Sequence, residues 1–169
     1  MIILMAGLPA TGKTTLAREL ARMTGGCVLS KDEVRAALFS PEDIEYSSKQ
    51  DDFCMEVMLE AAHFLLQKEP ARKVFLDGRT FSRGCQIDRV LKFAAEHSQP
   101  WAILECVCPD ESARQRLDVA PDRSHPAQNR TFALYREVKS RFEPVTHPKT
   151  VISSEEPLEQ CVLRAMAAL

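Results

Sequence analysis

The segment Gly7-Leu8-Pro9-Ala10-Thr11-Gly12-Lys13-Thr14 stands directly behind the apolar run Met1–Ala6 and fills the pattern G-x-x-x-x-G-K-[ST] in full. That order constrains the fold more than any other part of the chain, because it demands a buried strand, a tight glycine turn and a helix that starts at the turn. Gly7 and Gly12 let successive backbone N–H groups converge on one anion, and the helix beginning at Lys13 aims its positive end at the same point. Lys13 adds a point charge for the β- and γ-phosphates of a nucleotide, and Thr14 offers a hydroxyl to Mg2+. Gly7, Pro9, Ala10, Thr11, Gly12, Lys13, Thr14 and Thr15 are therefore the expected nucleotide contacts.

Behind this loop, five short apolar runs alternate with stretches of helical period: Ile2–Ala6, Cys27–Ser30, Lys73–Asp77, Trp101–Val107 and Thr150–Ile152. Helices are expected at Lys13–Met23, closed by Gly25-Gly26, and in a short piece from Lys31. A polar excursion from Ser40 to Asp52 precedes a long helix over Phe53–Lys68, with Phe53, Val57, Ala61, Phe64 and Leu65 inward. Further helices follow over Arg83–Glu96, from Pro109, from Asn129 to Pro144, and from Glu156. Such alternation builds an α/β protein of three layers, a parallel five-stranded sheet covered by helices on both faces.

Length and composition bound the reading further. The 169 residues, 45% of them hydrophobic, suffice for one domain over 1–169 with a continuous core. A net charge of −2 argues against a surface built to grip duplex nucleic acid, although residues 112–149 hold eight Arg/Lys against four Asp/Glu. No apolar run reaches the roughly 18 residues of a membrane span, and MIILMAG carries no basic leader, so a cytoplasmic protein without membrane partners is expected. Of six cysteines only Cys106 and Cys108 are close together, without a second pair to complete a zinc site.

Asp32, just past the second strand, lies at the sheet edge where ligands of open α/β sheets sit, and is the candidate general base; as an alternative it caps the helix behind it. Arg35, three residues on, shares its helical face and either holds an anionic substrate or forms an internal ion pair. Lys31 carries less weight. Asp77 ends an apolar strand and is placed to bind Mg2+ through water, with Arg79 near substrate or nucleotide. Arg114, Arg116, Arg123 and Arg130 surround the nonperiodic stretch Val119–Gln128, which reads as a cover over the site, and Arg116 and Arg123 are the candidates for charge neutralisation on the transferring group.

The runs GLPATGKTT, SKDEVR, VFLDGRTFSR and RQR…DRSHPAQNR…YREVKSRFEPV together resemble the P-loop kinase family that includes polynucleotide 5'-hydroxyl kinase domains, zeta toxins and chloramphenicol phosphotransferase. The resemblance implies a P-loop NTPase fold with an arginine-bearing lid around 117–130 and an ATP- or GTP-dependent, Mg2+-requiring transfer to a hydroxyl. It places the family's base on Asp32, its substrate-phosphate arginine on Arg35, its lysine and magnesium hydroxyl on Lys13 and Thr14, and its lid arginine on Arg116 or Arg123. The expected function is transfer of the γ-phosphate to a small-molecule hydroxyl, with no obligate protein partner. A polynucleotide 5'-hydroxyl kinase and a nucleotide-gated regulatory protein are the alternatives.

Overall fold

The computed structural model describes residues 1–118 and 131–169. Five strands, β1 (Ile2–Ala6), β2 (Cys27–Ser30), β3 (Val74–Asp77), β4 (Trp101–Val107) and β5 (Thr150–Ser153), form one sheet in the order β2-β3-β1-β4-β5. Every pairing is parallel, with Ile2 opposite Val74 on one side and Trp101 on the other. β1 is therefore central, which explains why all five of its residues are apolar and buried.

Period-two alternation splits these strands between two cores. Ile2, Leu4, Ala6, Val74 and Leu76 face α3 (Ser48–Lys68) and α4 (Gly84–Glu96), while Ile3, Met5, Phe75 and Leu104 face α1 (Lys13–Thr24) and α7 (Leu158–Met166). The chain leaves β1 for the edge strand β2, returns to β3 between them, then crosses to β4 and β5 on the other side. Crossovers thus part on either side of β1, and a crevice opens at the carboxyl ends of β1 and β3.

Local signals set the helix boundaries. Gly25 ends α1 in the left-handed region, its N–H reaching Ala21 O. Ser30 caps α2 (Lys31–Leu38) by accepting from the Glu33 amide, with Asp32 and Glu33 in the favourable first turn. Thr131 caps α6 (Phe132–Ser140) by accepting from the Leu134 amide, and α5 (Asp110–Asp118) starts behind Pro109 as its sequence suggests.

Four sequence expectations about helix bounds and faces need correction. α3 starts at Ser48, capped by Ser47, rather than at Phe53. Its buried stripe is Cys54, Met55, Met58, Leu59, Ala62 and Leu66, while Phe53 and Phe64 are 52% and 68% exposed. The cause is electrostatic: the polar first turn points inward because it meets buried cations, which rotates the helix by one position from the stripe that hydrophobicity alone favours. α6 ends at Ser140, short of Pro144, and α7 starts at Leu158 instead of Glu156.

Candidate active site

The phosphate loop is held by contacts that only its sequence allows. Gly7 has φ 129°, and a Cβ there would lie 2.2 Å from the carbonyl oxygen of Cys106 at the end of β4. Its N–H donates to Thr80 O at 3.1 Å, tying the loop to the chain beyond β3. Ala10 and Gly12 both occupy the left-handed region, at φ 62° and 87°. Thr11, almost fully buried, donates its hydroxyl to Leu8 O at 2.8 Å, and Lys13 Nζ reaches the same carbonyl at 2.6 Å. The loop is thus closed upon itself by one of its own side chains and by Lys13 from the first turn of α1.

Thr14 Oγ1 donates to Asp77 Oδ2 at 2.7 Å, joining α1 to the tip of β3. Asp77 is 2% exposed, and its Oδ1 is buried with no hydrogen-bond partner among the described residues. A hydroxyl beside a carboxylate with an unsatisfied oxygen is a donor set suited to a hard, oxygen-preferring cation such as Mg2+.

Across the cleft, β2 pairs with β3 so that Ser30 stands opposite Asp77, which brings the start of α2 beside Asp77 and the residues that follow it. Gly78, at φ 87°, makes this approach possible: a Cβ there would lie 3.0 Å from the Lys31 amide nitrogen and 3.2 Å from that of Asp32. The two elements abut through backbone, so Asp32 is fixed relative to Asp77 by sheet register rather than by a flexible loop.

Asp32 and Arg35 do share a helical face, and they meet: Arg35 Nη1 donates to Asp32 Oδ1 at 3.0 Å. Arg35 is only 2% exposed and also donates from Nη2 to Asp51 Oδ1, while its Nε has no hydrogen-bond partner among the described residues. The internal ion pair is therefore present. Lys31, given little weight from sequence, is buried and bridges the same two acids, 2.8 Å from Asp51 Oδ1 and 3.5 Å from Asp32 Oδ1. Tyr46, a non-glycine residue at φ 50°, lays its ring 5.1 Å from the Arg35 guanidinium carbon. Arg79, also buried, pairs with Asp52 at 2.7 Å. Sequence reading gave Lys31 too little weight and missed Tyr46, Asp51 and Asp52. The signal for the acids was the Ser47 cap followed by two adjacent carboxylates.

Arg116 leaves α5 and lies on the opposite rim of the loop. Its Nη1 donates to Ala10 O at 3.2 Å and Ser154 Oγ at 2.7 Å, and its Nη2 donates to Ser154 O at 3.0 Å and Glu155 Oε1 at 3.1 Å. It clasps the phosphate loop to the turn between β5 and α7. Behind it, a largely apolar recess of about 290 Å³ is walled by Thr15, Leu16, Ile152, Ser154 and Leu158. Cys106 closes its floor as a neutral thiol, pushed up to about 12 by burial. Arg123 and the cover Val119–Gln128 lie outside the described residues. Among the described residues no three His, Cys, Asp or Glu side chains gather to hold a metal, and no helix is long and apolar enough to cross a membrane.

One cleft of about 440 Å³ connects these parts: Lys13, Thr14, Asp77 and Arg116 line its donor end, and Asp32, Arg35, Tyr46 and Asp51 its far wall. Lys13, Asp32, Arg35, Thr14, Asp77, Arg79 and Arg116 are thus brought to one cavity.

The fold recurs in known structures. An unliganded sugar kinase from Janibacter sp. superposes with a TM-score of 0.71 at 17% identity, over 99% of this chain and 92% of that one. The Mycobacterium tuberculosis APS kinase CysC in complex with AMPPNP and APS gives 0.68 at 14% identity, covering 99% and 95%. Chaetomium thermophilum Kti12 in complex with ADP-AlF3 gives 0.68 at 15%, covering 99% and 98%. At such identities the likeness establishes the P-loop α/β architecture. A sequence comparison with curated proteins finds no match. The model of the AAA domain family matches residues 2–145, a span that takes in the phosphate loop, Asp32, Arg35 and Asp77, and the chain belongs to that P-loop family.

Proposed function

We propose that this chain is a kinase that transfers the γ-phosphate of ATP, or of GTP, to a hydroxyl of a small molecule, with Mg2+ bound. The carrying observation is the single cleft whose wall holds Lys13 and Thr14 of the phosphate loop at one end and Asp32 at the other. Kinases among the structural neighbours, one bound to AMPPNP, support the same reading. So does the resemblance to hydroxyl-phosphorylating P-loop kinases.

In this reading the loop N–H groups and Lys13 hold the donor's β- and γ-phosphates, and the apolar recess behind Arg116 receives the nucleobase. Thr14 directly and Asp77 through water would hold Mg2+, which supplies charge neutralisation on the phosphates. Asp32 accepts a hydrogen bond from the acceptor hydroxyl and takes its proton as that oxygen attacks the γ-phosphorus; the bond to the bridging oxygen breaks and the nucleoside diphosphate departs. Arg116, with Arg123 from the lid placed around 117–130, balances charge on the group in flight. The whole of 1–169 serves as one kinase unit.

The test follows the labelled γ-phosphate. Lys13→Ala should nearly abolish transfer and weaken nucleotide binding. Asp32→Ala should reduce turnover by about 100-fold or more, the scale of a lost general base, while nucleotide affinity stays close to that of the parent. Unchanged turnover in Asp32→Ala would overturn the mechanism. Preferred labelling of 5'-hydroxyl oligonucleotides would instead establish the polynucleotide kinase reading.

A further inference from the structure

We propose, resting on the kinase reading above, that the acceptor is an uncharged polyhydroxylated molecule and that Asp51 binds it alongside Asp32. The two carboxylates have the same arrangement. Each has its Oδ1 held by both Lys31 and Arg35. The Oδ2 of each accepts no hydrogen bond among the described residues, and both residues line the cleft. Their side chains are 12% and 25% exposed, whereas those of Lys31 and Arg35 are 10% and 2% exposed. Asp51 is therefore the most exposed member of the cluster and Arg35 the most enclosed, while Lys31 and Asp32 reach the cleft to a similar degree.

Charge accounting gives the acceptor class. Lys31, Arg35, Asp32 and Asp51 sum to zero, so both cations are already matched. Arg79 is matched by Asp52, Arg18 by Glu33 and Arg141 by Glu137, which leaves Arg83 as a cleft-lining arginine with no ion pair among the described residues. A phosphate seated beside Asp32 and Asp51 would have to take Lys31 or Arg35 from one of these two acids and would meet their free oxygens as like charges. Two neighbouring hydroxyls need no such exchange. One donates to Asp32 and is the oxygen that receives the phosphoryl group; the other donates to Asp51 and fixes the orientation. A site that presents two charged acceptors also discriminates against analogues that lack one hydroxyl, since an unmatched carboxylate is left facing them.

The experiment compares matched acceptors on the parent protein with radiolabelled ATP: glucose, ribose, adenosine and glycerol against their monophosphate esters, 2-deoxyglucose, and a 5'-hydroxyl oligonucleotide. The best uncharged polyol should exceed its own ester in kcat/KM by about 10-fold or more, the scale of one charge-assisted hydrogen bond. Asp51→Asn keeps an oxygen for Lys31 and Arg35 but removes the charge, and should raise the acceptor KM about 10- to 100-fold with ATP KM within about 2-fold. Esters or the oligonucleotide used as well as the polyols would overturn the proposal and leave the kinase reading standing, as would an acceptor KM unmoved in a folded Asp51→Asn. Transfer to none of them by protein that binds ATP would overturn both. The parent comparison holds whether or not the variant folds.

Discussion

Replacing Asp51 by alanine tests whether the buried charges depend on one another. The change removes the carboxylate that takes Lys31 Nζ at 2.8 Å and Arg35 Nη2, and neither cation can turn to water in exchange, since Arg35 is 2% exposed and Lys31 8%. Removing one partner of a buried ion pair costs about 3–5 kcal/mol. Here Arg35 keeps Asp32 at 3.0 Å, Lys31 keeps it at 3.5 Å, and the Asp51 side chain is 25% exposed, which lowers the expectation. About 2–3 kcal/mol remains, or a fall in Tm of roughly 4–12 °C for a chain of this size. Urea unfolding measures it as a shift in midpoint at constant slope. Glu19→Ala, which breaks the exposed Arg22–Glu19 pair, is the control and should leave the midpoint in place. A cycle through Asp51→Ala, Arg35→Ala and the double variant should give a coupling above about 1 kcal/mol. A midpoint shift no larger than the control's, or a coupling near zero, would refute the claim that Asp51 holds Arg35.

Two further outcomes follow from the loop and its floor. Gly7→Ala places a methyl 2.2 Å from a backbone carbonyl at φ 129°, a clash no rotamer relieves, and should destabilise by about 2 kcal/mol or more; Gly25→Ala, at φ 65° with open space around it, should cost about 1 kcal/mol. Equal melting temperatures for the two variants would refute the packing argument. At pH 8 a thiol reagent should modify exposed Cys85 first, while Cys106, with its thiol pushed up to about 12 and only about one part in 10⁴ ionised, should remain unmodified until the chain unfolds; mass spectrometry after partial labelling reads the order.

The two halves of the cleft were legible to different degrees. The donor half is contiguous in the chain: the conformations at Gly7 and Gly12 are backbone requirements that glycine announces, and Lys13 and Thr14 follow in the same turn. The pairing of Thr14 with Asp77 crosses 63 positions, yet an acid ending a continuous apolar strand marks it. The acceptor half depends on tertiary pairing. Asp51 meets Arg35 from another helix, and hydrophobic periodicity assigned its surroundings to an exposed excursion because charged residues are assumed to face water. The same assumption misplaced the stripe of α3. Gln50 shows the cost of that assumption again, since it is 7% exposed and holds the excursion by bonds to Asp43 O and the Glu45 amide.

Stability alone does not account for four charges in this position. Well-packed apolar side chains of similar volume often serve a core as well or better than a buried ion pair, because they carry no desolvation penalty. What apolar residues cannot do is hold a carboxylate in one orientation. Asp32 has its Oδ1 held by two cations that come from its own helix and are themselves fixed by Asp51 from α3, with the Tyr46 ring beside Arg35. The backbone contact at Gly78 sets where Asp32 stands, and the ion pairs set which oxygen turns toward the cleft. A base in phosphoryl transfer has to meet an incoming hydroxyl in line with the γ-phosphate, and an orientation fixed before the acceptor arrives removes that ordering from the barrier. On the kinase reading proposed above, the charge cluster is positioning machinery for Asp32, with stability as the quantity it consumes.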